Sequence, residues 1–423
     1  MKLLRQWGMI LLVGYGLALP AEAVELTISC GAVGQERALC EHATQAWAQQ
    51  SGHQVRVSSP PQRTNERYFK YLIDLGNSDP QVDIYQIDII WPALLSEYFL
   101  DLREFLPQAE IAQHFTNLIT YNTVDGRLVG LPWFTDVGLL YYRKDLLKRH
   151  GFDVPRNWAT LAEVALAIQS AERAQGNEAL WGYVFQGGAY EGLTCNALEW
   201  LNAYGGGTIV NTDGNITVNN PQAVLALARA ASWVGLLAPP RVTSFDEELA
   251  LNTFQLGQAV FMRHWPYAWA LLNASDSPVA GQVGVTALPR GGPAGQAAGT
   301  LGGWQLAVSK FSRHPAEAAE LVRYLTSAAV QKQRAIAGAY APTLVALYDD
   351  PEVLRANPFF AQLRPLLQAA VARPTLATGA QYMAVSTRFW EAVHRTLLGA
   401  TSAPDSLAAL QDQLQLIKAR GDW

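Results

Sequence analysis

VDIYQIDIIWPALLSEYFLDL, residues 82–102, changes its period in the middle. Val82 to Ile90, with Val82, Ile84, Tyr85, Ile87, Ile89 and Ile90 apolar around Asp83, Gln86 and Asp88, reads as a mostly buried strand. Trp91-Pro92 ends it, and ALLSEYFLDL follows with the spacing of a helix. A buried strand handed directly to a helix is the unit of a parallel sheet covered by helices.

The same alternation continues on both sides. Upstream, VELTISC alternates as a strand, QERALCEHATQAWAQQSG reads as an amphipathic helix closed by Gly52, HQVRVSS is a second strand, and a helix surrounds NERYFKYLIDLG. Downstream, RLVGLPWFTDVGLLYYRKDLL joins two strand-like runs through the aromatic PWFTD. Helices are expected at 157–176, 193–204, 221–235 and 244–258, with GGGTIV at 205–210 read as a helix stop. Strand character then returns in VGVTALP and GGWQLAVS, on either side of a Gly-rich loop, before a largely helical remainder from Pro315. A chain that leaves one α/β lobe, builds another and comes back predicts two lobes joined by more than one crossover. No fixed-period repeat or low-complexity tract is present.

With 423 residues, half of them hydrophobic, the chain can bury a large core. Its formal charge of −5 comes with 31 Lys and Arg spread without basic blocks, which argues against nucleic acid or an anionic membrane as partner. The first 23 residues carry Lys2 and Arg5, an apolar run to Leu19, and Ala21-x-Ala23, the three regions of a secretory signal peptide with cleavage expected after Ala23. Removing Lys2, Arg5 and Glu22 takes the charge from −5 to −6, and no later segment is apolar for long enough to span a bilayer. Cys30 and Cys40, ten apart, either close a disulfide in an oxidising compartment or stay reduced and buried; Cys195 has no evident partner.

The chain holds 13 Trp, 16 Tyr and 14 Phe, and many stand where an element breaks: DIIWP, LPWFTD, QGGAYEG, RHWPYAW and LGGWQ. An aromatic face covers the C–H face of a sugar ring, while carboxylates at the same breaks, Glu36, Asp88, Asp136 and Glu191, accept hydroxyl protons in charge-assisted bonds. Two such carboxylates at the right separation would also make a glycosidase. Nucleophile-elbow, Walker and zinc-protease signatures are missing, so binding without covalent chemistry is the favoured class, and neither cofactor nor metal is expected.

The runs TDVGLLYYRKDLL, GYVFQGGAYEGLTCNALEWLNAYGG, RHWPYAWALLNASDSPVAGQVGV and LGGWQLAVS resemble the trehalose/maltose-binding members of the extracellular solute-binding proteins that serve ABC importers. The resemblance spans nearly all of the chain after residue 23. It implies the two-lobed type II periplasmic binding protein fold, α/β in class, each lobe a mainly parallel sheet flanked by helices, with a ligand cleft between them. The lobes would comprise 24–133 with 301–342, and 134–300 with 343–423. It implies a periplasmic monomer that closes on an α-linked disaccharide and delivers it to membrane permease subunits.

On matching positions, the resemblance makes Glu36, Asp88 and Asp136 acceptors of sugar hydroxyls, and Arg67 and Arg373 donors to them. Trp265 and Tyr267 form one aromatic wall; Trp304, with the backbone of Gly302 and Gly303, forms the facing one. Phe134 stands where the family carries a tyrosine, which removes a hydroxyl contact and admits another small α-glucoside, such as glucosylglycerol, as the alternative ligand. Within RHWPYAW, an extended backbone would point Trp265 and Tyr267 the same way, Pro266 fixing the chain between them, with Trp269 turned into the core.

Overall fold

In a computed structural model, residues 23–32, 34–421 and 423 are described. The leader expected at 1–23 therefore lies outside the described residues except for Ala23. Among the described residues no helix is long and apolar enough to cross a membrane.

The first sheet contains β1 (Glu25–Ser29), β2 (Gln54–Ser58), β3 (Ile84–Asp88) and β4 (Leu131–Val137), and the second begins at β5 (Leu139–Arg143). The second sheet continues with β6 (Trp181–Val184), β7 (Ala259–His264) and β8 (Val283–Ala287), after which β9 (Leu301–Val308) returns to the first. The orders are β2-β1-β3-β9-β4 and β8-β5-β7-β6. Every residue of β3 is buried, Gln86 and Asp88 included, as befits a central strand.

Both sheets are mixed rather than mainly parallel. In the first, β1 pairs parallel with β2 and β3, and both antiparallel ladders belong to β9, because that strand enters from the opposite lobe. In the second, β5 runs antiparallel to β7 and β8, while β6 and β7 are parallel.

Helix Glu36–Ser51 ends at Gly52 with φ 78, and helix Glu191–Ala203 is followed by Gly205 with φ +81, so both glycines stop helices as their positions suggest. Helices Pro315–Leu325 and Ala328–Gly338 pack on Glu36–Ser51 of the first lobe, and helix Tyr382–Leu397 packs on Glu191–Ala203 of the second.

The chain passes between lobes at three neighbouring places. The Gly138 amide donates to the Thr300 carbonyl at 3.3 Å, the Val371 amide to Gly299 at 2.9 Å, and the Leu301 amide to Val371 at 2.8 Å. The first passage thus falls at Gly138, because β4 continues unbroken through the 133/134 division drawn from sequence. Helix Pro351–Ala356 packs on Ala328–Gly338 and helix Phe360–Gln368 on β4, so the last passage falls near Val371 rather than at 343.

Candidate functional site: the interlobe cavity

Where the crossings bring the strand ends together, a narrow cavity of about 60 Å3 lies between the lobes. Glu36, Arg67, Asp88, Phe134, Asp136, Trp265, Tyr267, Gly302, Gly303, Trp304 and Arg373 all line it. Residues spread from 36 to 373 meet here because β3, β4 and β7 end, and β9 begins, at this level. A more open groove of about 530 Å3 runs over the outer face of the first lobe, but its Arg323 and Glu110 pair with each other at 2.5 Å and none of these residues reaches it.

Glu36 begins its helix and is aimed by two donors, the Ala32 amide at 3.0 Å and Gln86 Nε2 at 3.4 Å. Asp88 closes β3; its Oδ1 accepts from the Ile90 amide at 3.1 Å and from Arg373 Nη2 at 2.8 Å. Asp136 is 5% exposed, and its Oδ1 is buried without a hydrogen-bond partner. Burial pushes its carboxyl up to about 8, helped by the negative charges of Glu36 and Asp88, against the opposing pull of Arg263 and Arg334. A buried carboxylate lacking donors is costly, and a ligand bringing hydroxyl protons would relieve that cost.

The aromatic walls are braced from behind. The Arg263 guanidinium lies 3.7 Å from the centroid of the Trp265 ring, and Trp265 Nε1 donates to Glu247 Oε1 at 3.2 Å. Arg67 lies 4.2 Å over Trp304, its Nε donating to the Pro61 carbonyl at 3.1 Å while its buried Nη1 has no partner. Tyr267 stacks on Tyr340 at 5.9 Å, and Phe134 meets the same tyrosine edge-on at 5.0 Å. A side chain at Gly302 would meet Asp136 Cβ at 3.1 Å and the Trp265 ring at 3.2 Å, so the glycine lets the two approach.

Trp265 and Tyr267 share the cavity by a different backbone route from the one expected. Strand β7 ends at His264, Trp265-Pro266 turns, and Tyr267 is already helical at φ -59, ψ -23. Pro266 is thus followed directly by helix Ala268–Leu272, and the rings converge through a turn rather than along an extended segment. Trp269 points elsewhere, half-buried against Phe359 with centroids 5.4 Å apart.

Arg373 does not face the cavity alone: its Nη1 donates to Glu191 Oε1 at 3.0 Å. Glu191 also accepts from Ser386 Oγ at 2.6 Å and from the Tyr382 hydroxyl, and burial still raises its carboxyl. Sequence reading missed Glu247, Cys195, Gln62 and Thr64, which also line the cavity. Nothing local marks them, since it is the second lobe that supplies Glu247 and Cys195. Cys30 and Cys40 are joined in a disulfide, and Cys195 is free and buried, its thiol pushed up to about 12. Among the described residues no cluster suits a metal ion.

Residues 35–332 match the model of the bacterial extracellular solute-binding protein family. A probable ABC transporter-binding protein of Deinococcus radiodurans is 47% identical over 412 residues, 97% of this chain and 98% of its own. The maltose-bound structure of MalE3 from T. maritima superposes with a TM-score of 0.88 at 37% identity, covering 93% of this chain and 100% of that one. A mannitol-binding protein of Pseudomonas aeruginosa is 26% identical over 309 residues, 68% of this chain and 69% of its own.

Proposed function

Because the chain belongs to the bacterial extracellular solute-binding protein family, we propose that its cavity captures an α-glucoside disaccharide, maltose or trehalose, for an ABC importer. The observation that carries this reading is Asp136, whose Oδ1 is buried without a hydrogen-bond partner and whose Cβ lies 3.1 Å from where a Gly302 side chain would begin, in a cavity walled by Trp265 and Trp304. A neutral polyol brings hydroxyl donors to the carboxylates and C–H faces to the rings, with no charge to desolvate. Glu36, Asp88 and Asp136 accept its hydroxyl protons, Arg67 and Arg373 donate, and Trp265, Tyr267 and Trp304 enclose it. The likeness to the maltose-bound relative at 37% identity supports the choice of sugar.

Closure works through differential affinity. The sugar contacts both lobes only when they are shut, so its binding free energy shifts the population toward the closed form. The closed, loaded monomer then docks on the permease subunits from the periplasmic side, the leader at 1–23 having directed export. No bond of the sugar is made or broken. Asp88 is already occupied by Arg373, and Glu191 by Arg373, Ser386 and Tyr382, so neither stands free as a glycosidase acid or nucleophile.

Phe134, which presents no hydroxyl, favours glucosylglycerol as the second ligand to test. Thermal melting with maltose, trehalose, glucosylglycerol and mannitol decides among them. Ligand at about 100 times its Kd stabilises by about 2.7 kcal/mol, so maltose or trehalose should raise the midpoint and leave no free glucose behind. A shift with mannitol and with neither disaccharide would overturn the α-glucoside assignment, and released glucose would overturn the transport role.

A further inference from the structure

Behind the cavity wall, fully buried, is a second charged pair that the sugar-binding reading does not use. Arg263, at the end of β7, donates through Nε to Glu199 Oε2 at 2.9 Å and through Nη2 to Glu199 Oε1 at 2.5 Å. The two side chains are each 1% exposed. Gln186 completes the arginine's shell: its Oε1 accepts from Nη1 at 3.2 Å, and its Nε2 donates to the Arg263 carbonyl at 3.1 Å.

Each end of this pair has a further attachment. On one side, the guanidinium lies 3.7 Å from the centroid of Trp265, the ring that faces the cavity. On the other, Glu199 Oε1 accepts the backbone amide of Thr300 at 3.0 Å, and Thr300 is one of the lobe crossings. Gly138, the neighbouring crossing, presses on the same two groups. A Cβ there would collide with Glu199 Oε1 and stand 2.7 Å from Arg263 Nη2. Gly299 is likewise packed so closely that its Cβ would run into Gly138. Two of the three passages between lobes therefore rest on an ion pair that also backs the sugar-facing indole.

We propose that Glu199 and Arg263 act as a positioning unit that couples the hinge crossings at Gly138 and Thr300 to the pose of Trp265. The proposal rests on the sugar-binding reading for its effect on affinity, while the coupling itself needs no ligand. A buried ion pair is weak evidence for stability, since apolar replacements of similar volume often serve as well or better. Its retention here is explained by geometry. A planar guanidinium stacks on the indole while both its edges hold hydrogen bonds, and lysine or an aliphatic side chain cannot do both. Rotation of the lobes about Gly138 and Thr300 moves Glu199, Glu199 carries Arg263, and the Trp265 ring follows.

The test is a thermodynamic cycle on the full chain, with maltose as probe. The combined variant Arg263→Met/Glu199→Gln removes both buried charges together, so neither is stranded, and the introduced amide oxygen can still accept the Thr300 amide. This variant should weaken maltose binding by at least tenfold in the wild-type background and by less than threefold in a Trp265→Ala background, with its melting curve confirming a folded protein. Equal losses in the two backgrounds would overturn the coupling, because the pair would then act independently of the indole.

If wild-type protein gives no heat with maltose, the sugar reading fails by itself, and ligand-free measurements decide the coupling. Arg263→Met should speed amide exchange at Thr300, which it does not touch. Glu199→Gln should alter the near-ultraviolet dichroism that Trp265→Phe identifies as Trp265. Wild-type behaviour in both would sink the proposal.

Discussion

Arg373 Nη2 donates to Asp88 Oδ1 at 2.8 Å, joining a residue beside the third crossing to the last residue of β3. Its Nη1 reaches Glu191 at the start of a second-lobe helix at 3.0 Å, so one guanidinium bridges carboxylates from both lobes; burial pulls its pKa down, but the charge of Asp88 foremost, with Cys195, Tyr382 and Glu191, holds it well above the ordinary value. Breaking a buried pair by removing one partner costs on the order of 3–5 kcal/mol, because the other charge is stranded. Arg373→Met should therefore favour the open form, where Asp88 and Glu191 can hydrate. Small-angle scattering of the ligand-free variant should give a larger radius of gyration than wild type, and maltose affinity should fall about a hundredfold. An unchanged radius together with unchanged affinity would show that the bridge does not set closure.

Asp136 predicts a pH dependence with a definite sign. Its carboxyl lies at about 8 in the folded protein against an ordinary 3.8, chiefly through burial. The native state thus keeps a proton that the unfolded chain has released. This contribution to stability is fully present below about pH 4 and is lost as pH rises through about 8. Asp136→Asn should flatten that part of the ligand-free stability profile. Sugar hydroxyls favour the ionised carboxylate, so maltose binding below about pH 8 should release a proton and strengthen as pH rises toward 8. Calorimetry in buffers of different ionisation enthalpy measures the release directly. Equal apparent heats across buffers would refute it.

How far the sequence could be read depended on whether the signal was local. Strand β3 was visible because Ile84, Tyr85 and Ile87 sit in a stretch rich in Ile and Val that Trp91-Pro92 ends, and Gly302, Gly303 and Trp304 stood out as a glycine pair at the start of a strand. The mixed sheets were not visible, because the direction of β9 is fixed by its return from the other lobe and leaves no mark in its own residues. Arg373 could be placed in the cavity by resemblance, yet its bond to Glu191 joins residues 182 positions apart and no spacing rule reports that. Arg334 was missed for the same reason. It lies 3.9 Å from the Trp133 ring, behind Phe134, where burial lowers its pKa to about 10, while its own sequence, QKQRAIAG, looks like an ordinary helix face.

The disulfide between Cys30 and Cys40 ties the end of β1 to the helix that begins at Glu36. The loop between them also contains Ala32, whose amide aims the Glu36 carboxylate. Closing a loop of this size is worth about 3 kcal/mol by the chain-entropy estimate. Cys30→Ser/Cys40→Ser should lower stability by about that amount in denaturant titration and weaken maltose binding more than a distant variant of equal destabilisation would. The comparison variant should be one from the second lobe's core, such as Ile168→Ala, since truncating a buried Ile to Ala costs about 2–5 kcal/mol. Equal affinities in the two variants would confine the disulfide to a stabilising role.

Trp265 gives the most direct check on the site. Its ring faces the cavity, is backed by Arg263 at 3.7 Å and is held at its edge by Glu247 at 3.2 Å, so a sugar stacking on it meets an indole already fixed in place. Little ordering entropy is left to lose on binding, and the stacking contribution is retained almost in full. Trp265→Ala should weaken maltose or trehalose binding by more than tenfold, about 1.4 kcal/mol or more. Trp269→Ala, two residues on and packed against Phe359 outside the cavity, should change stability and leave affinity nearly as it was. Loss of affinity in Trp269→Ala with none in Trp265→Ala would reverse the assignment of the two rings.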